Sequence, residues 1–218
     1  MIMDLHFDNG QRICLAGSTG SGKSVMFYAI ANLLCHSGVK IFYYNTSREL
    51  KYKEYITHKN FIPYMPQPEK ARNLQNFELW LGHIRSTFRS DDAKKQYYMA
   101  AVDDIDLMYN NYNYAKDMSE TLKAHIGEGR KIGIGFIWLV KLLVYIPDML
   151  FDNLDYAFIG RFNMPRGIQK LRNFASSKEI LNITDQRFIG VDLRPKRKPE
   201  EPLRGIFKVE GGKICEKI

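Results

Sequence analysis

The stretch that most narrows what this chain can fold into is residues 11–38, QRICLAGSTGSGKSVMFYAIANLLCHSG. An apolar run, QRICLAG, enters a glycine-rich loop. The loop leads straight into SVMFYAIANLLCH, whose apolar positions recur at helical period until Gly38 stops them. Gly17-x-x-x-x-Gly22-Lys23-Ser24 matches G-x-x-x-x-G-K-[ST] at every specified position. Strand, loop and helix thus come in the order that turns backbone N–H groups and the positive end of a helix toward a polyphosphate. This predicts a cradle made by Gly17, Ser18, Thr19, Gly20, Ser21, Gly22, Lys23 and Ser24. Lys23 would reach the β- and γ-phosphates, and the Ser24 hydroxyl would ligate Mg2+. Kinases, GTPases, transporters and DNA motors share such a loop, so the choice among them rests on residues elsewhere.

Further apolar runs follow at VKIFYYNTS (39–47), QYYMAAVDD (96–104), IGIGFIWLV (132–140) and LDYAFIGRF (154–162). Between them lie the helical patterns NLQNFELWLGHIRSTF and AKDMSETLKAHIGEG. Apolar strands alternating with helices predict a parallel sheet covered on both faces. Ahead of the first strand, IMDLHF and the turn DNG predict a hairpin. From Phe188 onward RFIGVD, the basic link RPKRKPEEP and GIFKVEGGKICEKI predict short antiparallel strands around a Gly-Gly turn. Antiparallel edge strands are therefore expected at both termini. At 218 residues and 45% hydrophobic content, the chain suits one domain, with residues 11–162 as its nucleotide-binding core and 188–218 appended.

A phosphate loop of this type needs an acidic group at the end of a neighbouring strand, and YYMAAVDD supplies a pair. Asp103 is placed to hold Mg2+ through water, and Asp104 to polarise the attacking water. Taken alone, the pair reads equally well as turn-forming residues closing a strand. The sequence contains no N-K-x-D guanine-reading motif and no L-S-G-G-Q signature, which argues against GTPases and ABC transporters. Three widely spaced cysteines and no C-x-x-C pair fit a reducing cytoplasm better than a disulfide framework. The apolar stretch from Ile132 to Pro147 is too short to span a bilayer and carries Lys141 near its centre, so it reads as a strand and a short helix. The opening MIMDLHF has no signal-peptide pattern.

GEGRKIGIGFIWLVKLLVYIP (127–147) resembles the G-R-K-x-G, apolar strand, T-Q-R-P-x-x-I-P stretch of the FtsK/HerA superfamily of DNA-translocating ATPases, and TGSGKS is also typical of that group. The matched segments span residues 11–147 in family order. The resemblance implies a RecA-like P-loop fold, ATP with Mg2+, and a homo-oligomeric ring, hexameric or pentameric. It places Arg130 where the family has an arginine finger that reaches a neighbouring subunit's nucleotide; the same residue also reads as an ordinary base after a helix end. The sequence departs from the family twice. Lys141 stands where glutamine is usual and can contact a γ-phosphate but has no acceptor for water. Asp104 stands where glutamate is usual.

A net charge of +8 favours an acidic partner, and the resemblance implies double-stranded DNA. Candidate backbone contacts are the loop MYNNYNYAKD with Tyr109, Tyr112 and Tyr114, the helix-borne Arg166, Lys170 and Arg172, and Arg194, Lys196, Arg197 and Lys198. The loop reads equally as packed polar chain. Superfamily members in cells append further domains, so the compact genome-packaging ATPases of internal-membrane icosahedral viruses match best in size. That would place the protein in the host cytoplasm or at a virion vertex, with capsid or portal-vertex partners. A filamentous-phage-type assembly ATPase, a group that normally carries a membrane helix, and a nucleotide-switched binding protein with little turnover are the alternatives.

Overall fold

A computed structural model of the chain describes residues 10–89, 97–109, 120–162, 164–184, 186–194 and 204–217. Among the described residues it forms a nine-stranded sheet in the order β3-β2-β4-β5-β1-β6-β7-β8-β9. The first six described strands are β1 (Arg12–Ala16), β2 (Lys40–Tyr44), β3 (Phe61–Tyr64), β4 (Tyr98–Val102), β5 (Ile134–Val140) and β6 (Tyr156–Ile159). They are mutually parallel, whereas β7 (Arg187–Asp192), β8 (Arg204–Glu210) and β9 (Lys213–Lys217) continue the sheet antiparallel.

The parallel strands read as unbroken apolar runs because both their faces are covered. Side chains alternate across the sheet. Ala100, Val102, Phe136, Trp138 and Val140 enter one core, and Met99, Ala101, Ile137 and Leu139 enter the other. The helix α1 (Lys23–His36) and the short α2 (Tyr52–Tyr55) fill the second core. On the opposite face lie α3 (Leu74–Arg89), α4 (Glu120–Glu128), α5 (Met149–Asp152), α6 (Pro165–Lys170) and α7 (Ser177–Asn182).

Gly211 and Gly212, both at positive φ, turn β8 into β9 as expected. Phe207 of this hairpin is buried in the α1 core, where Val209 and Ile214 also pack. Antiparallel strands therefore close the C-terminal edge. The expected N-terminal hairpin is corrected at its second strand: β1 is paired in parallel on both sides, with β5 and with β6, and so has no free edge for an antiparallel partner; residues 2–9 lie outside the described residues. The other edge is β3, which the sequence did not announce. It holds Pro63, and an edge strand can place a residue without an N–H on its unpaired side. Between Ile132 and Pro147 the chain makes β5 and one short turn, Leu143–Tyr145. Among the described residues no helix is long and apolar enough to cross a membrane.

Candidate nucleotide site

The glycine-rich loop leaves β1 at the C-terminal ends of the parallel strands. It is pinned by backbone bonds from Gly17 N to Val140 O (3.1 Å) and from Ser18 N to Arg161 O (2.8 Å). Gly20 (φ 80°) and Gly22 (φ 89°) adopt the left-handed conformation that frees the loop to curl before α1 begins. A side chain at Gly17 would collide with Ser21 Oγ at 2.5 Å. That buried hydroxyl has no hydrogen-bond partner among the described residues. Ser24 is exposed at the first turn of α1. Lys23 is buried, and its Nζ donates to Gly17 O (2.6 Å) and Ser18 O (3.0 Å). Burial pushes the ammonium down to about 8, against the opposing pull of Asp104. A desolvated cation in a glycine-rich loop at the N-terminus of a helix suits a polyphosphate.

The acidic strand is not next to the loop strand. β5 lies between β4 and β1, and this insertion carries Lys141, the residue after β5, into the gap between loop and acids. Asp103 and Asp104 follow β4 directly and are both buried. Asp103 is held by its backbone, with its N donating to Tyr44 O (3.2 Å) and its O accepting from Thr46 Oγ1 (2.7 Å). Burial, reinforced by the charge of Asp104, raises its carboxyl to about 7. Asp104 sits at φ 45°, ψ 52°, and its Oδ2 contacts the Lys141 ammonium. The Lys141 backbone N–H donates to Asp106 Oδ1 at 2.9 Å. Burial alone would lower the Lys141 ammonium; its bond to Asp104 and the charges of Asp103 and Asp106 outweigh this and raise it.

Among the described residues no three metal-binding side chains cluster. Ser24, exposed at the start of α1, and the buried Asp103 offer oxygens that could hold a Mg2+ ion beside phosphate oxygens.

Lys23, Asp103, Asp104 and Lys141 thus come together. Arg130 does not join them. It lies in the turn Gly129–Ile132 ahead of β5, at the opposite end of the strands. β5 spans seven residues, about 23 Å at a rise of roughly 3.3 Å per residue. Two candidate DNA contacts are corrected. Tyr109 is fully buried in the helix-covered core, so it has no face for a ligand. Lys170 is committed internally: its Nζ donates to Ile146 O (2.6 Å), pairs with Asp148 (2.9 Å) and lies 6.0 Å from the centre of the Phe151 ring. Arg166 and Arg172 are exposed. Arg194 pairs with Asp192 at 2.8 Å. Tyr112, Tyr114, Lys196, Arg197 and Lys198 lie outside the described residues.

Three residues of the site escaped the sequence reading. Asp106 and Thr46 anchor Lys141 and Asp103, while Gln186, at φ 63°, backs Gly22. The only signal for Asp106 was its place two residues after the acidic pair.

Loop, buried lysine and acidic strand tip on this sheet define a P-loop NTPase fold, as the known structures bear out. The chain is similar to the genome-packaging NTPase B204 of Sulfolobus turreted icosahedral virus 2 in complex with ATPγS. The TM-score is 0.66 and the identity 12%, over 84% of this chain and 92% of that one. It is similar to the pCW3 conjugation coupling protein TcpA (TM-score 0.55, 14% identity, 90% of this chain and 60% of that one). A third match is EssC (ATPases 2 and 3) of Geobacillus thermodenitrificans, with TM-score 0.54 and 14% identity over 91% of this chain and 39% of that one. No family model and no curated protein matches the sequence. The likeness is one of fold, and it is the fold that the resemblance to FtsK/HerA ATPases implied.

Proposed function

We propose that the chain is an ATP-hydrolysing translocase of double-stranded DNA that works as a homo-oligomeric ring to package a viral genome. The observation that carries this reading is the convergence of the buried Lys23, in its glycine-rich loop, with two buried aspartates at the tip of the next strand but one. In this reading the loop N–H groups and Lys23 hold the phosphates, and Ser24 and Asp103 hold Mg2+. A Mg2+ ion held by them would supply charge neutralisation for the phosphates. Asp104 accepts the proton of the attacking water, and Lys141 approaches the γ-phosphate. Arg130 lies too far from its own loop to serve it, so its part is in trans, on a neighbouring subunit's nucleotide. The exposed Arg166 and Arg172 and the net charge of +8 suit contacts to a phosphate backbone without base readout. B204, a packaging NTPase of similar length and fold, supports the choice of motor.

The contact between Lys141 and Asp104 favours a second reading, a nucleotide-switched binding protein, because a carboxylate occupied by an ammonium is a poor base. Steady-state ATP hydrolysis with and without double-stranded DNA separates the two. A motor turns over many times per site and speeds up on DNA; binding without turnover under either condition would leave the switch.

A further inference from the structure

Lys141 is tied twice to the same short loop. Its backbone N–H is held by Asp106 and its ammonium by Asp104, both from the segment after β4. The two bonds differ in kind. The first fixes the strand tip, while the second ends a flexible four-carbon stem whose side chain is 34% exposed. Asp104 is under-satisfied where it stands. Its Oδ1 is buried without a hydrogen-bond partner among the described residues, and its backbone occupies the left-handed region that a non-glycine residue adopts at a cost. One partly exposed cation therefore occupies a carboxylate that is otherwise poorly served. That same residue borders the phosphate loop: Val140, immediately before it, pairs with Ala16 and accepts a hydrogen bond from Gly17 N at 3.1 Å.

We propose that Lys141 is a nucleotide-dependent latch on Asp104. Without a triphosphate, its ammonium holds the carboxylate. A terminal phosphate draws the ammonium away and frees Asp104 to take a proton from water. A diphosphate has no group to offer at that place and leaves the latch closed. Lys141 stays protonated throughout; only its partner changes. The inference rests on the nucleotide site proposed above and makes Lys141 a positioning residue as well as a phosphate contact. It also explains how lysine can stand in this site without blocking the base.

The test is a double-mutant cycle on binding. Dissociation constants for ATPγS and for ADP are measured without Mg2+ for the wild type, Asp104→Asn, Lys141→Met and the double variant. If ATPγS must pull the ammonium off Asp104, weakening that pair by Asp104→Asn tightens ATPγS. The gain should be about tenfold larger with Lys141 present than in the Lys141→Met background, where no pair exists to break. Simple repulsion between Asp104 and the phosphates predicts equal gains in both backgrounds. ADP should show equal, small changes in both and reports that all four proteins remain folded. If Lys141→Met does not fold, Lys141→Gln, which removes the charge but keeps a polar stem, takes its place. Equal gains for ATPγS, or the same excess for ADP, overturn the latch while leaving the nucleotide site standing. Failure of the wild type to bind either nucleotide, with or without Mg2+, overturns the site and the latch together.

Discussion

Replacing Lys23 by methionine should stabilise the nucleotide-free protein while destroying its grip on nucleotide. Burial draws this ammonium from 10.5 down to about 8, so keeping it charged at neutral pH costs roughly 3 kcal/mol at about 1.4 kcal/mol per tenfold in proton affinity. Methionine removes that cost and fills similar space. It also removes the donor to Gly17 O, a buried bond of 2.6 Å, and to Ser18 O, a part-buried bond of 3.0 Å that water can replace; the stranded Gly17 O costs about 1–2 kcal/mol. The balance is a gain of about 1 kcal/mol, or roughly 2–4 °C in Tm for a chain of this size. The sign with pH follows from the depressed value. The unfolded chain holds the proton more tightly, so wild-type stability recovers as pH rises from about 8 toward 10.5, and the advantage of methionine should shrink over that window. Nucleotide should move the other way. Loss of a charge-assisted contact worth about 1.5–3 kcal/mol weakens ATPγS by roughly tenfold to more than a hundredfold. Thermal denaturation at pH 7 and pH 10, with ATPγS titrations at pH 7, reads both effects. A variant clearly less stable at pH 7 would make Lys23 a structural tie of its loop, and unchanged ATPγS affinity would remove the loop from the phosphate site.

Three further outcomes are expected. Asp104→Asn should bind ATP with Mg2+ but stall turnover, whereas Asp103→Asn should weaken the dependence on Mg2+ itself; equal, mild losses in a Mg2+ titration of ATPase rate would reduce both to strand-closing residues. Arg130→Ala should bind ATP normally and hydrolyse it about a thousandfold more slowly, and mixing it with Lys23→Ala should restore activity through mixed interfaces; a mixture as inactive as its parts, with both assembled, would exclude action in trans. His125 is buried with Nε2 3.4 Å from Gly135 O, and burial, aided by the charge of Arg85, pushes it down to about 3. It therefore stays neutral in the fold while the unfolded chain takes up a proton, so stability should fall on acidification from about pH 6.5 toward 3 by up to about 1.4 kcal/mol per pH unit. Denaturant titrations should show His125→Leu with a flatter slope, and an unchanged slope would count against this account.

The phosphate loop was legible because its glycines answer a backbone need that few other residues meet, as the positive φ of Gly20 and Gly22 shows. The central strands were legible because two covered faces leave no polar positions. β3 was not: FIPY is four residues long, only Phe61 is buried, and its strand character comes from pairing with β2. The capping box joining Ser176 and Glu179 at α7 was readable as S-x-x-E and was passed over. The contacts of Lys141 with Asp104 and Asp106 could not be read locally, because they depend on β5 inserting between β1 and β4. Lys170 and Tyr109 misled for a related reason. A lysine stem and a tyrosine ring look alike in sequence whether they face water or a core.

The place of β1 in the sheet also sets when the site can exist. Arg12 pairs with Phe136 on one side, and Ile13 pairs with Tyr156 on the other. Both neighbours of the loop strand are made more than about a hundred residues after it. At synthesis rates of about 5–20 residues per second, the strand waits on the order of ten seconds, its apolar side chains unpartnered, until β5 and β6 emerge. Such distant pairings close late because the entropy of the intervening chain must be overcome first. The phosphate loop thus leaves the ribosome well before the two strands that complete its site. Nucleotide in the cell meets a finished cradle or none, and a premature stop before β6 should yield a chain open to aggregation and chaperone capture instead of a weak nucleotide binder.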